Sequence, residues 1–153
     1  LNFEKNTLKQ LPIGKGVVVK NADNEQEPNN KIAIISLGCR LAEVEKAVQL
    51  YEDEKGMNVV SIVDARFAKP LDKDLITEMV KQHYHIVTIE EGSSGGFASV
   101  VMNYLRDTKQ LNDIALQSLY FPDIFYPQTS ISTMYHNANM DTEKILEQLK
   151  NII

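Results

Sequence analysis

Ile32-Ala33-Ile34-Ile35 is an unbroken apolar run that stops at Ser36-Leu37-Gly38 and gives way to Leu41, Val44, Val48 and Tyr51 at helical spacing. Four consecutive apolar residues with no polar alternation predict a strand buried on both faces. The spacing that follows, with Glu43, Glu45 and Lys46 on the opposite side, predicts an amphipathic helix. Gly56 ends that helix, because glycine takes a left-handed cap conformation at little cost.

The same alternation continues downstream. Val59-Val60-Ser61-Ile62-Val63 predicts a strand, and Asp72 caps a helix that carries Leu75, Ile76, Met79 and Val80. Ile86-Val87-Thr88-Ile89 is a further strand, closing on Glu90-Glu91-Gly92. A helix from Gly95-Gly96-Phe97 carries Val100, Val101, Tyr104 and Leu105, and Ile114 to Leu119 is the last strand. Two more helices are expected, near Ser130–Asn137 and from Asp141 onward with Ile145, Leu146 and Leu149 on one face. Strand and helix in alternation imply crossover units and a mostly parallel sheet covered by helices, an α/β fold.

Upstream the pattern differs. Residues 1–15 are non-periodic around a Leu11-Pro12-Ile13-Gly14 turn and read as a linker into a domain of residues 16–153. Leu1 stands where an initiating Met would, so the chain reads as cut from something longer. Val17-Val18-Val19 is a short strand. Residues 21–30, rich in Asn and nearly free of apolar side chains, predict an exposed, mobile loop that adds nothing to a core.

Composition limits function. The chain has 153 residues, 43% hydrophobic and 24% charged, enough for one well-packed domain. A net charge of −5 without clustered Lys and Arg argues against nucleic acid. No apolar run approaches the roughly 20 residues that span a bilayer. A lone cysteine, Cys39, allows no internal disulfide and points to a reducing, cytosolic location.

Candidate chemistry gathers at the carboxyl ends of the strands, where open α/β sheets place functional loops. Gly92, Gly95 and Gly96 precede a helix whose first N–H groups are able to hold an anion, yet the string matches neither the dinucleotide fingerprint nor the P-loop. Glu90 and Glu91 would repel a phosphate there, and a tight turn against a neighbouring surface is the favoured reading. As an acid–base pair the two glutamates point to opposite sides of an extended strand end. Arg66 is suited to a carboxylate or phosphate, with an internal ion pair to Asp64 favoured. His83, His85 and His136 show no metal-ligand spacing, and Cys39 has no base beside it in sequence. These residues alone give no catalytic set.

Three longer strings carry a resemblance. Asp64-Ala65-Arg66-Phe67-Ala68-Lys69-Pro70-Leu71-Asp72, Ile89-Glu90-Glu91-Gly92-Ser93-Ser94-Gly95-Gly96-Phe97 and Phe121-Pro122-Asp123-Ile124-Phe125 resemble the carboxy-terminal domain of the 1-deoxy-D-xylulose-5-phosphate synthases. The first string is shared more loosely with transketolases and 2-oxo acid dehydrogenase beta subunits. The resemblance implies a three-layer α/β/α sandwich of five strands, one edge strand (Val17–Val19) antiparallel. It also implies a parent transferase that uses thiamine diphosphate and magnesium, condenses pyruvate with glyceraldehyde 3-phosphate, and serves isoprenoid and thiamine synthesis. The cofactor and metal sites of that family lie in the preceding domains, so no catalytic, cofactor or metal residue is assigned here. The expected partners are those preceding domains and a second copy in a homodimer, with Arg66, Phe67, Glu90, Gly92, Phe97 and Phe125 as contact candidates. A free-standing flavodoxin-like module and a small thiol enzyme using Cys39 are the readings from other classes.

Overall fold

A computed structural model describes residues 10–23 and 25–152. Five strands form one sheet: β1 (Val17–Lys20), β2 (Ile32–Leu37), β3 (Val60–Asp64), β4 (His85–Ser93) and β5 (Ala115–Phe121). Their spatial order is β1-β3-β2-β4-β5, with β1 antiparallel to β3 and every other pair parallel. The helices are α1 (Leu41–Lys55), α2 (Lys73–Gln82), α3 (Phe97–Asp107), α4 (Ile131–Asn137) and α5 (Thr142–Ile152).

The unbroken apolar run of β2 is explained by its central place in the sheet. Ile32 and Ile34 pack with Val44, Val48 and Tyr51 of α1 and with Ile145 and Leu149 of α5. Ala33 and Ile35 point the other way, into Ile76 and Met79 of α2 and Phe97, Val101 and Leu105 of α3. Two cores thus share one sheet, which makes three layers. Each fully buried aliphatic or aromatic side chain contributes about 1.5–3 kcal/mol, so these paired faces dominate stability. Gly56 caps α1 at φ +67°, as its position predicts. Asp72 caps α2 by accepting the Leu75 N–H at 3.3 Å.

The polar loop after β1 is a correction. It does contribute to the core: Ala22 is buried, and its N–H donates to Ser61 Oγ at 2.8 Å. Ser61 Oγ also lies 2.7 Å from His83 Nε2, while His83 Nδ1 reaches the Met79 carbonyl at 2.9 Å. A one-turn 3-10 helix, Pro28–Asn30, gives the loop local structure as well. A polar string thus holds its place by pairing with a buried side chain, Ser61, that its own composition does not reveal.

Of the expected linker, residues 1–9 lie outside the described residues. Residues 10–16 approach the sheet at the carboxyl end of β3, because β1 runs antiparallel and pairs Val17 with Asp64. There the Gly16 N–H donates to Asp72 Oδ2 at 3.1 Å, and Lys15 Nζ pairs with Asp72 and Asp74, each at 3.1 Å. Gly14 sits at φ +70°, and a Cβ there would come within 2.6 Å of the Pro70 ring. The entry point is therefore pinned to the same rim that carries the candidate chemistry.

Candidate functional site

The carboxyl ends of β2, β3, β4 and β5 form one continuous rim. At the end of β3, Asp64 accepts the Arg66 backbone N–H at 3.1 Å and lies 3.4 Å from its Nε. That double contact stabilises Arg66 at φ +57°, a conformation most residues avoid. Arg66 is thus committed internally, and Phe67 beside it is half-buried.

At the end of β4 the two glutamates diverge. Glu90, 5% exposed, turns inward, and its oxygens accept the N–H groups of Phe97 and Ala98, both at 2.8 Å. These are the first amides of α3, whose positive dipole end favours a carboxylate. The glycines fit this arrangement. A Cβ on Gly92 would fall 2.7 Å from Glu90 Oε2, and one on Gly96 would fall 2.9 Å from Oε1. The anion at this helix start is the protein's own. Phe97 is 2% exposed and belongs to the core.

Glu91 turns outward and gathers three groups, two from the turn after β2 and one from α4. Cys39 Sγ donates to its Oε2 at 2.6 Å, Arg40 Nε lies 3.1 Å from Oε1, and Tyr135 of α4 donates its hydroxyl to Oε1. The Arg40 contact is an ion pair whose N–H is not aligned as a hydrogen bond. The Arg40 guanidinium also lies 3.6 Å above the Tyr135 ring centroid, a cation–π contact. Burial pushes the Glu91 carboxyl upward, but Cys39, Tyr135 and Arg40 outweigh it and leave it below its usual value. Tyr135 is raised, chiefly by its hydrogen bond to Glu91. A carboxylate that accepts the Cys39 S–H is the opposite of the cationic neighbour on which thiolate nucleophiles depend.

Sequence reasoning missed this cluster. Its members are 52 and 44 residues from Glu91, and no local spacing signals them. The Glu90 cap did leave a trace, in glycines at the two positions where a side chain would strike the carboxylate.

Beside the cluster opens a cavity of about 310 Å³ lined by Arg40, Glu43, Ile131, Ser132, Tyr135 and Asp141. His83 is buried against β3, and His136 pairs at 2.7 Å with Asp141, which lines this cavity. Among the described residues no group of three or more His, Cys, Asp or Glu is arranged to hold a metal ion. The start of α3 does not fit a diphosphate, because Glu90 occupies its amides. No helix among the described residues is long and apolar enough to cross a membrane.

The family model of the transketolase C-terminal domain matches residues 21–145. This chain belongs to that family. The transketolase C-terminal fold also appears in solved structures. One is a split-gene transketolase in an inactive beta4 tetramer, with a TM-score of 0.75 at 22% identity over 94% of this chain and 43% of that one. Another is a Pichia stipitis transketolase complexed with sedoheptulose 7-phosphate, with a TM-score of 0.57 at 12% identity over 91% of this chain and 18% of that one. The chain therefore spans less than half the length of these structural relatives. The expected five-stranded sheet with an antiparallel edge is the architecture observed.

Within this transketolase C-terminal domain the six contact candidates differ in exposure. Glu90 and Phe97 are buried, and Gly92 is partly buried beside the Glu90 carboxylate. Phe125 is fully exposed, with Ile124 beside it 64% exposed. Arg66 and Phe67 lie between these extremes.

Proposed function

We propose that this chain is the carboxy-terminal domain of a 1-deoxy-D-xylulose-5-phosphate synthase and acts there as a scaffold. In this reading it packs on the preceding domains and contributes to a cytoplasmic homodimer. Thiamine diphosphate and magnesium belong to the upstream domains, where the cofactor would supply the carbanion chemistry of pyruvate decarboxylation. The observation that carries the reading is that all three motif strings converge on one rim. Asp64–Asp72, Ile89–Phe97 and Phe121–Phe125 follow β3, β4 and β5 at the same end of the sheet. Glu90 and Asp72 spend their carboxylates on holding that rim rigid, which is the role of a contact surface.

The test is turnover of pyruvate and glyceraldehyde 3-phosphate by the longer parent protein with thiamine diphosphate and magnesium. Product formed by the parent, and none by the 153-residue chain, is the expected result. A parent that instead transfers two-carbon units between sugar phosphates would support a second reading, the C-terminal domain of a transketolase. The likeness to the split-gene transketolase favours that second reading. Calorimetry of the isolated chain with thiamine diphosphate and magnesium should give no heat, and clear binding would overturn the scaffold role.

A further inference from the structure

At the amino ends of the strands, away from the rim, three consecutive residues hold the loop between β1 and β2. His83 Nε2 lies 2.7 Å from Ser61 Oγ, which accepts the Ala22 N–H at 2.8 Å. Tyr84 donates its backbone N–H to the Pro28 carbonyl at 3.0 Å. His85 reaches the Asn29 backbone with its ring, and its own N–H donates to the Lys31 carbonyl at 3.3 Å. The loop is thus clasped at Ala22 and again across Pro28 to Lys31. The buried side chains that join α1, α2, α3 and α5 to the sheet lie outside residues 21–31.

The hydrogens of this clasp fit together only while the His83 ring is neutral. A carbonyl accepts and never donates, so the 2.9 Å contact to the Met79 oxygen puts the ring hydrogen on Nδ1 and leaves Nε2 bare. Ser61 then donates its hydroxyl hydrogen to Nε2 and receives the Ala22 N–H on a lone pair. A second proton on the ring would lie on Nε2 and face the Ser61 hydrogen. Ser61 would have to turn its hydroxyl within a site where it is 1% exposed.

Charge acts in the same direction. Lys31 is buried beside His83 at the entry to β2, while β3 presents the uncharged Ser61, α2 the Met79 carbonyl and the loop the Ala22 backbone. The Tyr84 ring stands edge-on to His85 at 4.9 Å. Among the described residues no carboxylate bears on either histidine. Burial lowers the proton affinity of both rings, and Lys31 adds to this at His83, whereas an open loop leaves the rings in water. Closure is therefore complete above about pH 6.5 and is lost as pH falls below that value.

We propose that His83 and His85 form a proton-operated clasp: neutral, they hold residues 21–31 against β3 and the start of β4, and protonated, they release that loop while both cores stay folded. The Asn-rich string that its composition marks as mobile is then ordered only while the clasp is closed. The clasp does not depend on which enzyme the domain belongs to.

NMR of the 153-residue chain between pH 7.5 and 5.0 tests this, with His83 ring shifts and amide protection factors followed together. Protection at Ala22 should fall about tenfold or more along the His83 titration curve, while Ile35 and Ile89 keep theirs. Ser61→Ala should strip Ala22 of protection at pH 7.5 as well. His85→Gln should move the opening to lower pH, and His83→Gln should make protection at 21–31 independent of pH. The wild-type titration decides alone where a variant does not fold. Unchanged protection at Ala22 across the range would overturn the proposal. So would loss at Ala22, Ile35 and Ile89 together, because that is global unfolding and not release of a loop.

Discussion

The carboxylate of Glu90 accepts the backbone N–H of Phe97 at 2.8 Å, from seven residues earlier and across a turn containing three glycines. One side chain so placed, three residues before the end of β4, starts a helix and closes an anion site. Removing it should be expensive. Glu90→Ala leaves two buried amides unpaired and is expected to destabilise the domain by about 2–4 kcal/mol. Glu90→Gln keeps one acceptor oxygen and should recover part of the loss. Urea denaturation measures both, and an unchanged midpoint for Glu90→Ala would refute the internal cap.

Gly96 is expected to resist substitution because of Glu90. A Cβ at Gly96 would crowd both carboxylate oxygens, so Gly96→Ala should cost about 1–3 kcal/mol. In a Glu90→Ala background the clash disappears and the penalty should shrink. A double-mutant cycle reads the coupling, and strict additivity would contradict the geometry.

Acid should weaken the fold through His83. Burial, with the nearby Lys31 charge, lowers its proton affinity below the usual value, and only the Met79 carbonyl opposes this. The unfolded state therefore takes the proton more readily. Stability is full above the unfolded value of about 6.5 and falls as pH drops below it. His85 is lowered by burial too, so its effect has the same sign. Urea midpoints at pH 7.5 and 5.5 should differ, and His83→Asn should flatten part of the slope. An identical slope in that variant would show that the Ser61–His83 pair plays no part.

Asp72 joins the entry segment to α2. Its carboxylate caps the helix at Leu75 and holds Gly16 and Lys15. Asp72→Ala is expected to lower stability by about 1–3 kcal/mol. It should also speed proteolysis within residues 10–16, which limited digestion followed by mass spectrometry would register. Loss of stability without faster cleavage would mean that Asp72 acts as a cap alone.

The order of strands and helices was legible in the sequence because each element announces itself locally. Ile32–Ile35 is apolar on both faces because β2 lies between two cores, and Gly56 and Asp72 mark helix ends through backbone chemistry that acts within a few residues. The antiparallel place of β1 followed from the family resemblance, since nothing in Val17–Val19 itself states a direction. What only the tertiary structure decided are the long-range pairings. Tyr135 and Cys39 meet at Glu91, and Ala22 reaches Ser61, which in turn meets His83, because sheet order brings distant segments together. The two adjacent glutamates illustrate the division. The sequence placed both at a strand end facing opposite ways, but only the packing of α3 decided that Glu90 goes inward. There, two otherwise unpaired amides and the positive end of the helix offset the burial of its charge.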